Sequence, residues 1–187
     1  MISAEAILQL TKNYTEPHRA YHNLSHITSM LTVAPLTPEQ VLAIWFHDAI
    51  YIPGARDNEE KSADLAMPVV EDLVSAGILP SSATDLVHTM ILDTRKHVPR
   101  TEPSRLVVDL DLMILASPRE EYIKYSQQIR QEYSAITDEF YVPGRLGFLK
   151  EFLKRDRIYW DMTQLEDPAR SNLEFEIGFL EGHANVL

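Results

Sequence analysis

The sequence of 187 residues contains no cysteine. It therefore has neither a disulfide framework nor a thiolate metal site, and any bound metal must be held by histidine, aspartate or glutamate. No apolar run is long enough to span a membrane, and the first ten residues lack the basic start of a secretory signal and contain Glu5. We therefore expect one cytoplasmic domain over residues 1–187, with no membrane partner.

Basic side chains are also few. Seventeen Lys and Arg residues against 28 Asp and Glu residues leave a net charge of −11. Such a charge repels a phosphate backbone over any extended surface, which argues against a nucleic-acid polymer as partner. A small phosphorylated substrate is still compatible, because a metal ion and a few arginines reverse the field within one pocket. A homo-oligomer is equally compatible with the sequence.

Glycine is scarce, with six residues, and no segment shows the sustained alternation of apolar and polar residues that marks a half-buried strand. Apolar residues recur instead at spacings of three and four, as in Leu65, Val69 and Leu73. The sequence thus predicts an all-α fold, a single helical bundle. Breaks between helices are predicted at clusters of proline and glycine, at residues 34–40, 51–58, 76–82, 97–103, 116–120 and 141–145.

The segment AYHNLSHITSM, residues 20–30, places His22 and His26 four residues apart in a stretch with a helical pattern. Residues four apart on a helix share a face, so both rings are able to reach one point, as metal ligands do. The alternative is two imidazoles side by side at a polar edge. The spacing alone leaves both interpretations open.

A histidine and an acid are adjacent in IWFHDAIY, residues 44–51. Asp48 lies among apolar residues, where a carboxylate is costly unless a positive group pairs with it. In the simpler interpretation, Asp48 lies near a helix end and His47 bonds a backbone carbonyl. Adjacent residues on a helix point about 100° apart, so the spacing does not by itself direct His47 and Asp48 at one ion.

Two further acids occur in the apolar segment LVVDLDLMILAS, residues 106–117. Asp109 and Asp111 cannot both face solvent on a helix whose other positions are nearly all apolar, so at least one should point at a partner inside. As an alternative, Asp109 is an N-cap of a helix that runs from Leu110, with Asp111 near its positive end. Asp111 is harder to explain in this way.

Taken in order, His26, His47, Asp48 and Asp111 resemble the ligand pattern of the HD-domain superfamily of metal-dependent phosphohydrolases. YHNLSHI is similar to the YHNxxH of cyclic-nucleotide phosphodiesterases, and DLDL looks like the D-x-D of deoxynucleotide triphosphohydrolases. The segments FHDAIY, DNEEKSADLA, ILDTRKH and YVPGRLGFLKEFL resemble an uncharacterised branch of predicted HD-superfamily phosphohydrolases. The resemblance covers residues 18 to about 180, nearly the whole chain.

This resemblance implies that His26, His47, Asp48 and Asp111 bind a divalent ion and that His22 is a general acid. Two imidazoles and two carboxylates form a mixed nitrogen and oxygen shell that suits Mn, Fe, Co, Ni, Zn or Mg. An ion in such a shell lowers the pKa of bound water and polarises a phosphoryl oxygen. The resemblance favours Asp111 over Asp109 as last ligand, and Asp109 is expected behind the ligands or at a cap.

Glu59, Glu60 and His97 are weaker candidates. Related domains often place a catalytic acid shortly after the His–Asp pair, but two acids that open a helix are also ordinary capping. We prefer capping for Glu59 and keep Glu60 as a candidate catalytic residue. His97 is either a further ligand or phosphate contact, or a histidine that meets a helix dipole.

Three arginines are candidates for binding phosphate with two hydrogen bonds. Arg19 and Arg145 are expected to bind substrate. For Arg170 we prefer an ion pair with one of the late glutamates.

The function expected from this pattern is a metal-dependent phosphohydrolase that acts on a nucleotide or another small phosphoester, with a metal-activated water as nucleophile. The first alternative is a sensory module that binds metal and nucleotide without turnover. The second is a di-iron oxygenase of the HD type, which would need more histidine ligands, with His97 as the candidate.

Overall fold

The computed structural model of the protein describes the backbone over residues 3–184 and the side chains over residues 3–182. This part of the chain is helical and contains no strand, which confirms the all-α prediction. None of its helices has the length and apolar character that a membrane span requires. The α-helices are α1 (Ala4–Tyr14), α2 (Leu24–Val33), α3 (Pro38–Phe46), α4 (Asn58–Ser75), α5 (Ala83–Thr94), α6 (Glu102–Leu112), α7 (Arg119–Glu132), α8 (Asp138–Leu153) and α9 (Glu166–Ala184).

The chain divides into two compact units, Met1–Asp111 and Leu112–Leu187. The first unit contains α1 to α5 and nearly all of α6. The second contains α7, α8 and α9 with two short 3₁₀ helices, Met113–Ala116 and Thr163–Leu165. A single domain over residues 1–187 stays a prediction.

In the first unit, α3 packs against α4 and α5, which also pack against each other. Their facing side chains, such as Ile44, Val70 and Ile91, are fully buried, and each contributes about 1.5–3 kcal/mol by leaving water. The start of α3 is fixed by a capping box, in which Thr37 and Gln40 bond each other's backbone. The apolar body of α3 is therefore held firmly, and its last residues have a defined direction.

In the second unit, α9 packs against α8 and against the 3₁₀ helix Met113–Ala116. The predicted break at residues 141–145 is wrong, because α8 continues through Pro143 and Gly144. Pro143 removes one helical hydrogen bond near the start of the helix. The burial of Leu149 and Phe152 further along α8 outweighs that local loss.

Candidate metal site

Four side chains of the first unit converge, and we call His26, His47, Asp48 and Asp111 the His–Asp cluster. The Nε2 atoms of the two histidines are 3.4 Å apart. Asp111 Oδ1 lies 3.1 Å from His26 Nε2 and 3.5 Å from His47 Nε2, while Asp48 Oδ2 lies 3.1 Å from His47 Nε2 and 3.8 Å from His26 Nε2. Donors in a tetrahedral shell about 2.1 Å from one ion are about 3.4 Å apart. The cluster therefore has the dimensions of a shell around a single metal ion.

The start of α2 presents His26. The helix begins at Leu24, and the side chain of its N-cap Asn23 accepts a hydrogen bond of 2.8 Å from the backbone N–H of Ser25. His26 thus lies in the first turn with its ring buried, whereas His22 precedes the cap. The expectation that His22 and His26 share one helix face is wrong, but the turn still brings the two rings to within 6.0 Å of each other.

The end of α3 presents His47 and Asp48. The helix ends at Phe46, His47 is its C-cap, and Asp48 already lies in the following turn. His47 itself keeps helical dihedral angles (φ −57°, ψ −37°), and the two side chains nevertheless meet, with His47 Nε2 3.1 Å from Asp48 Oδ2. His47 Nδ1 lies 2.9 Å from the carbonyl of Ile44. Because a carbonyl only accepts, Nδ1 carries a hydrogen and Nε2 faces the cluster, as in metal-bound histidines.

The last turn of α6 presents Asp111. Since α6 begins at Glu102, neither Asp109 nor Asp111 opens a helix, and the capping alternative is wrong. Asp111 joins the cluster, whereas Asp109 is fully buried and is not a member.

His97 lies beyond the end of α5 and contacts the second carboxylate oxygen of Asp111, the one that does not face the two histidines of the cluster. Its Nε2 atom is 3.1 Å from Asp111 Oδ2. The two oxygens of Asp111 therefore have different partners, with Oδ1 facing His26 and Oδ2 facing His97. A φ of 52° makes His97 the one non-glycine residue in the left-handed region over the described chain. A positive φ is uncommon in non-glycine residues, although asparagine, aspartate and histidine adopt it more often than the others. His97 thus contacts a member of the cluster without belonging to it, and both interpretations of this residue stay predictions.

The electrostatics of the cluster favour ionised carboxylates. Burial opposes ionisation, but the positive charges of His47 and His22 outweigh it and lower the pKa of Asp48. The pKa of Asp111 is likewise held well below its ordinary value, against burial, by the charge of His47 and by hydrogen bonds from histidines. Burial by itself would lower the pKa of His47, but Asp48 and Asp111 raise it well above its ordinary value. Without metal, a proton on His47 thus balances part of the negative charge.

Arg19 is a structural residue, and the prediction that it binds substrate is corrected. Its buried guanidinium donates hydrogen bonds to the backbone carbonyls of His22 at 3.0 Å, Asp48 at 2.7 Å and Ala49 at 3.1 Å. It also pairs with Glu16 at 2.9 Å. Four of its five N–H donors are therefore engaged, and the side chain fixes the segment before α2 to the turn after α3.

Arg145 is corrected in the same way. It lies in the second unit, where it is buried and donates two hydrogen bonds, of 2.8 and 3.0 Å, to the carboxylate of Glu176. Arg170 pairs with Glu166, as preferred from the sequence. The sequence shows which arginines are present but not which acceptors surround them.

Glu60 is not a member of the His–Asp cluster. Its carboxylate forms an ion pair with Arg95, and its Oε2 atom is buried with no hydrogen-bond partner among the described residues. For Glu59, capping was preferred. The charge of the cluster acts on this residue, because burial and the charge of Asp48 both raise the pKa of its carboxyl group. The sequence did not distinguish these neighbours, since both lie in the first turn of α4.

Two aromatic residues beside the cluster were missed. The Tyr51 ring stacks on His22 with centroids 4.2 Å apart, and the Tyr21 ring lies 4.9 Å from that of His26. His18 joins them through its Nε2 atom, 2.9 Å from the Tyr51 carbonyl. Their position directly beside the quoted histidine motifs was the available signal.

Comparison with protein-family models, with curated proteins and with solved structures finds no match to this chain. The assignment of these residues as a possible metal site therefore depends on their geometry alone. Its nitrogen and oxygen donors suit a divalent ion of the first transition row or Mg²⁺, and the structure does not select among them.

We predict that metal binding releases about one proton per ion near neutral pH. The ion must displace the proton whose retention the raised pKa of His47 indicates. Affinity should therefore rise with pH up to that pKa and fall by about tenfold for each pH unit below it. Calorimetric titration with Mn²⁺ in two buffers of different ionisation enthalpy counts the protons. An affinity that is equal at about pH 6 and about pH 8, with no proton release, would contradict the assignment.

We also predict that removal of the His97 ring weakens Mn²⁺ binding by about 10–100-fold, because the ring holds the outer oxygen of a ligand. The variants H97G and H97N both remove the ring, and both residue types tolerate the left-handed backbone. H88A is the control, since His88 lies outside the cluster. If H97G and H97N bind Mn²⁺ as the wild type does, the contact with Asp111 has no part in metal binding.

Proposed function

We propose that the protein is a metal-dependent phosphohydrolase that acts on a nucleotide or another small phosphoester. The observation that carries the proposal is the convergence of His26, His47, Asp48 and Asp111 at distances that fit one ion. This set agrees with the HD-type order of ligands in the sequence. Two neutral imidazoles and two carboxylates offset the charge of a divalent ion, so the loaded site is neutral and suits an anionic substrate.

A divalent ion in this site supplies Lewis-acid polarisation of a phosphoryl oxygen and lowers the pKa of water. The protein supplies the position of the ligands. The carbonyl of Ile44 orients His47, and His97 orients Asp111. Both contacts fix ligand atoms before substrate arrives, which reduces the reorganisation that the reaction would otherwise require.

His22 is the general acid in this proposal. It is outside the group of ligands, yet its ring is 6.0 Å from that of His26 and stacks on Tyr51. Arg19 binds its backbone carbonyl, so the ring is held beside the site. This position beside the ligands supports a role for His22 in protonating the leaving oxygen.

Of the alternatives, a binding module without turnover uses the same ligands and differs only in activity. A di-iron oxygenase needs a second set of ligands, and the described residues form one group of this kind. The single group of ligands thus favours hydrolysis over the oxygenase, and a measurement of turnover separates hydrolysis from the binding module.

The proposal predicts different effects for the two histidines of the opening motif. H26A removes one of four donors and should lose metal and activity together. H22A should keep the metal but lower kcat by roughly 10²–10⁴-fold on a substrate with a poor leaving group. The loss should shrink on a nitrophenyl phosphoester, whose leaving group needs no proton. Elemental analysis and kinetics on a panel of nucleotides and nitrophenyl esters measure both effects.

H88A is the matched control and should retain both metal and rate, because His88 lies outside the cluster. If H22A loses metal as H26A does, His22 supports the ligands and is not the acid. If the wild-type protein binds metal but turns over no member of the panel, the binding module replaces the hydrolase.

A further inference from the structure

The second unit contains a cavity of about 720 Å³ between α7, α8 and α9. Pockets that bind small molecules usually have volumes of about 300–1,000 Å³. The cavity therefore has the size of a ligand site. Every residue that lines it belongs to the second unit, so it shares no residue with the His–Asp cluster.

The walls of the cavity are mainly apolar. They are formed by two aromatic rings and three aliphatic side chains, namely Tyr141, Phe179, Val142, Pro143 and Leu180. Phe179 is 55% exposed, which is unusual for so large an apolar side chain at a concave surface. These walls suit an apolar body that covers the exposed ring.

A buried carboxylate also lines the cavity. Glu176 is 6% exposed and accepts hydrogen bonds from Arg145 at 2.8 and 3.0 Å and from the Tyr122 hydroxyl at 2.5 Å. A carboxylate has about four acceptor positions, so three donors leave one for a ligand. The charge of Glu176 is balanced by Arg145, and this pair adds no net charge to the cavity.

The rim of the cavity contains hydrogen-bond acceptors that have no donor among the described residues, but its arginine is already paired. Arg130 uses its guanidinium on Asp138 at 2.9 Å and on the carbonyls of Tyr133 at 2.9 Å and Ile136 at 3.1 Å. Glu139 is exposed, and its carboxylate forms no hydrogen bond or ion pair within the described residues 3–182. Its backbone carbonyl also lacks the usual helical donor, because Pro143 has no N–H. The rim therefore carries one uncompensated negative charge.

We propose that this cavity binds an amine with an apolar, preferably aromatic, body and a single positive charge. The apolar body lies between Phe179 and the aliphatic wall, and the ammonium group faces Glu139 and the open acceptor position of Glu176. Ammonium groups are also attracted to the faces of aromatic rings. An anionic ligand would meet Glu139 with no free cation to offset it, so the charge pattern selects against anions.

The test uses the full-length chain and three probes with one ring system: 2-naphthylmethylamine, 2-naphthalenemethanol and 2-naphthoate. They are cationic, neutral and anionic near neutral pH. Naphthalene fluorescence reports binding. We expect the amine to bind at least about tenfold more tightly than the carboxylate, with the alcohol between them. Metal should have no effect, because the cavity and the His–Asp cluster share no residue.

Two kinds of variant locate the binding. V142W fills the cavity, and F179A removes the aromatic ring of one wall; each should weaken amine binding by roughly tenfold or more. E139Q removes the free charge and should weaken amine binding by about threefold to fivefold while leaving the alcohol unchanged. E120Q is the matched control, because it makes the same charge change on α7 at an exposed residue outside the cavity.

The proposal is overturned if the three probes bind equally, if the amine does not bind at millimolar concentration, or if folded F179A binds the amine as the wild type does. Sedimentation provides the remaining outcome. The wild-type chain could be a dimer in sedimentation that F179A converts to a monomer. If the amine then binds only the monomer, a second copy of the chain occupies the cavity in the dimer, and the proposed amine site is wrong.

Discussion

The first unit depends on how the negative charge of two nearly buried carboxylates is balanced. Two like charges about 4 Å apart repel by about 4 kcal/mol at an effective dielectric constant of 20. One oxygen of Asp48 and one of Asp111 lie within 4.8 Å of each other, and the charged neighbours that lower their pKa values are histidines. A proton on His47 offsets part of this repulsion, and a divalent ion would offset all of it. The arrangement therefore has an unmet demand for positive charge at one defined point.

The backbone meets this demand at helix ends rather than within helices. His26 lies in the first turn of α2, His47 and Asp48 follow the last residue of α3, and Asp111 lies in the last turn of α6. Where several helix ends meet, side chains from different helices reach one point. Arg19 then joins two of these ends by bonding to their carbonyls, which makes a buried cation part of the scaffold.

The all-α fold follows from local signals in the sequence, whereas the full set of four cluster members was implied by the resemblance of the motifs to HD-type proteins. The apolar spacing marks the helices, and acids among apolar residues mark positions that need a partner. Arg19 and Arg145 could not be assigned from the sequence, since an arginine that binds phosphate and one that binds a distant carbonyl or glutamate look the same. Pro143 misled for a related reason, because the packing that holds α8 together is contributed by residues far from the proline. His97 shows the same limit, since only the fold brings it to Asp111.

A metal site explains the cluster more fully than a network of hydrogen bonds does. The spacings of 3.1–3.8 Å between donors and acceptors fit an ion, and a network alone gives no reason for two carboxylates at one point. Diffraction from Mn²⁺-soaked crystals at a wavelength where manganese scatters anomalously tests this most directly. The expected result is one strong peak about 2.0–2.4 Å from His26 Nε2, His47 Nε2 and one oxygen each of Asp48 and Asp111. An empty cluster in crystals soaked with excess Mn²⁺, or a peak bound by other residues, would contradict the metal site.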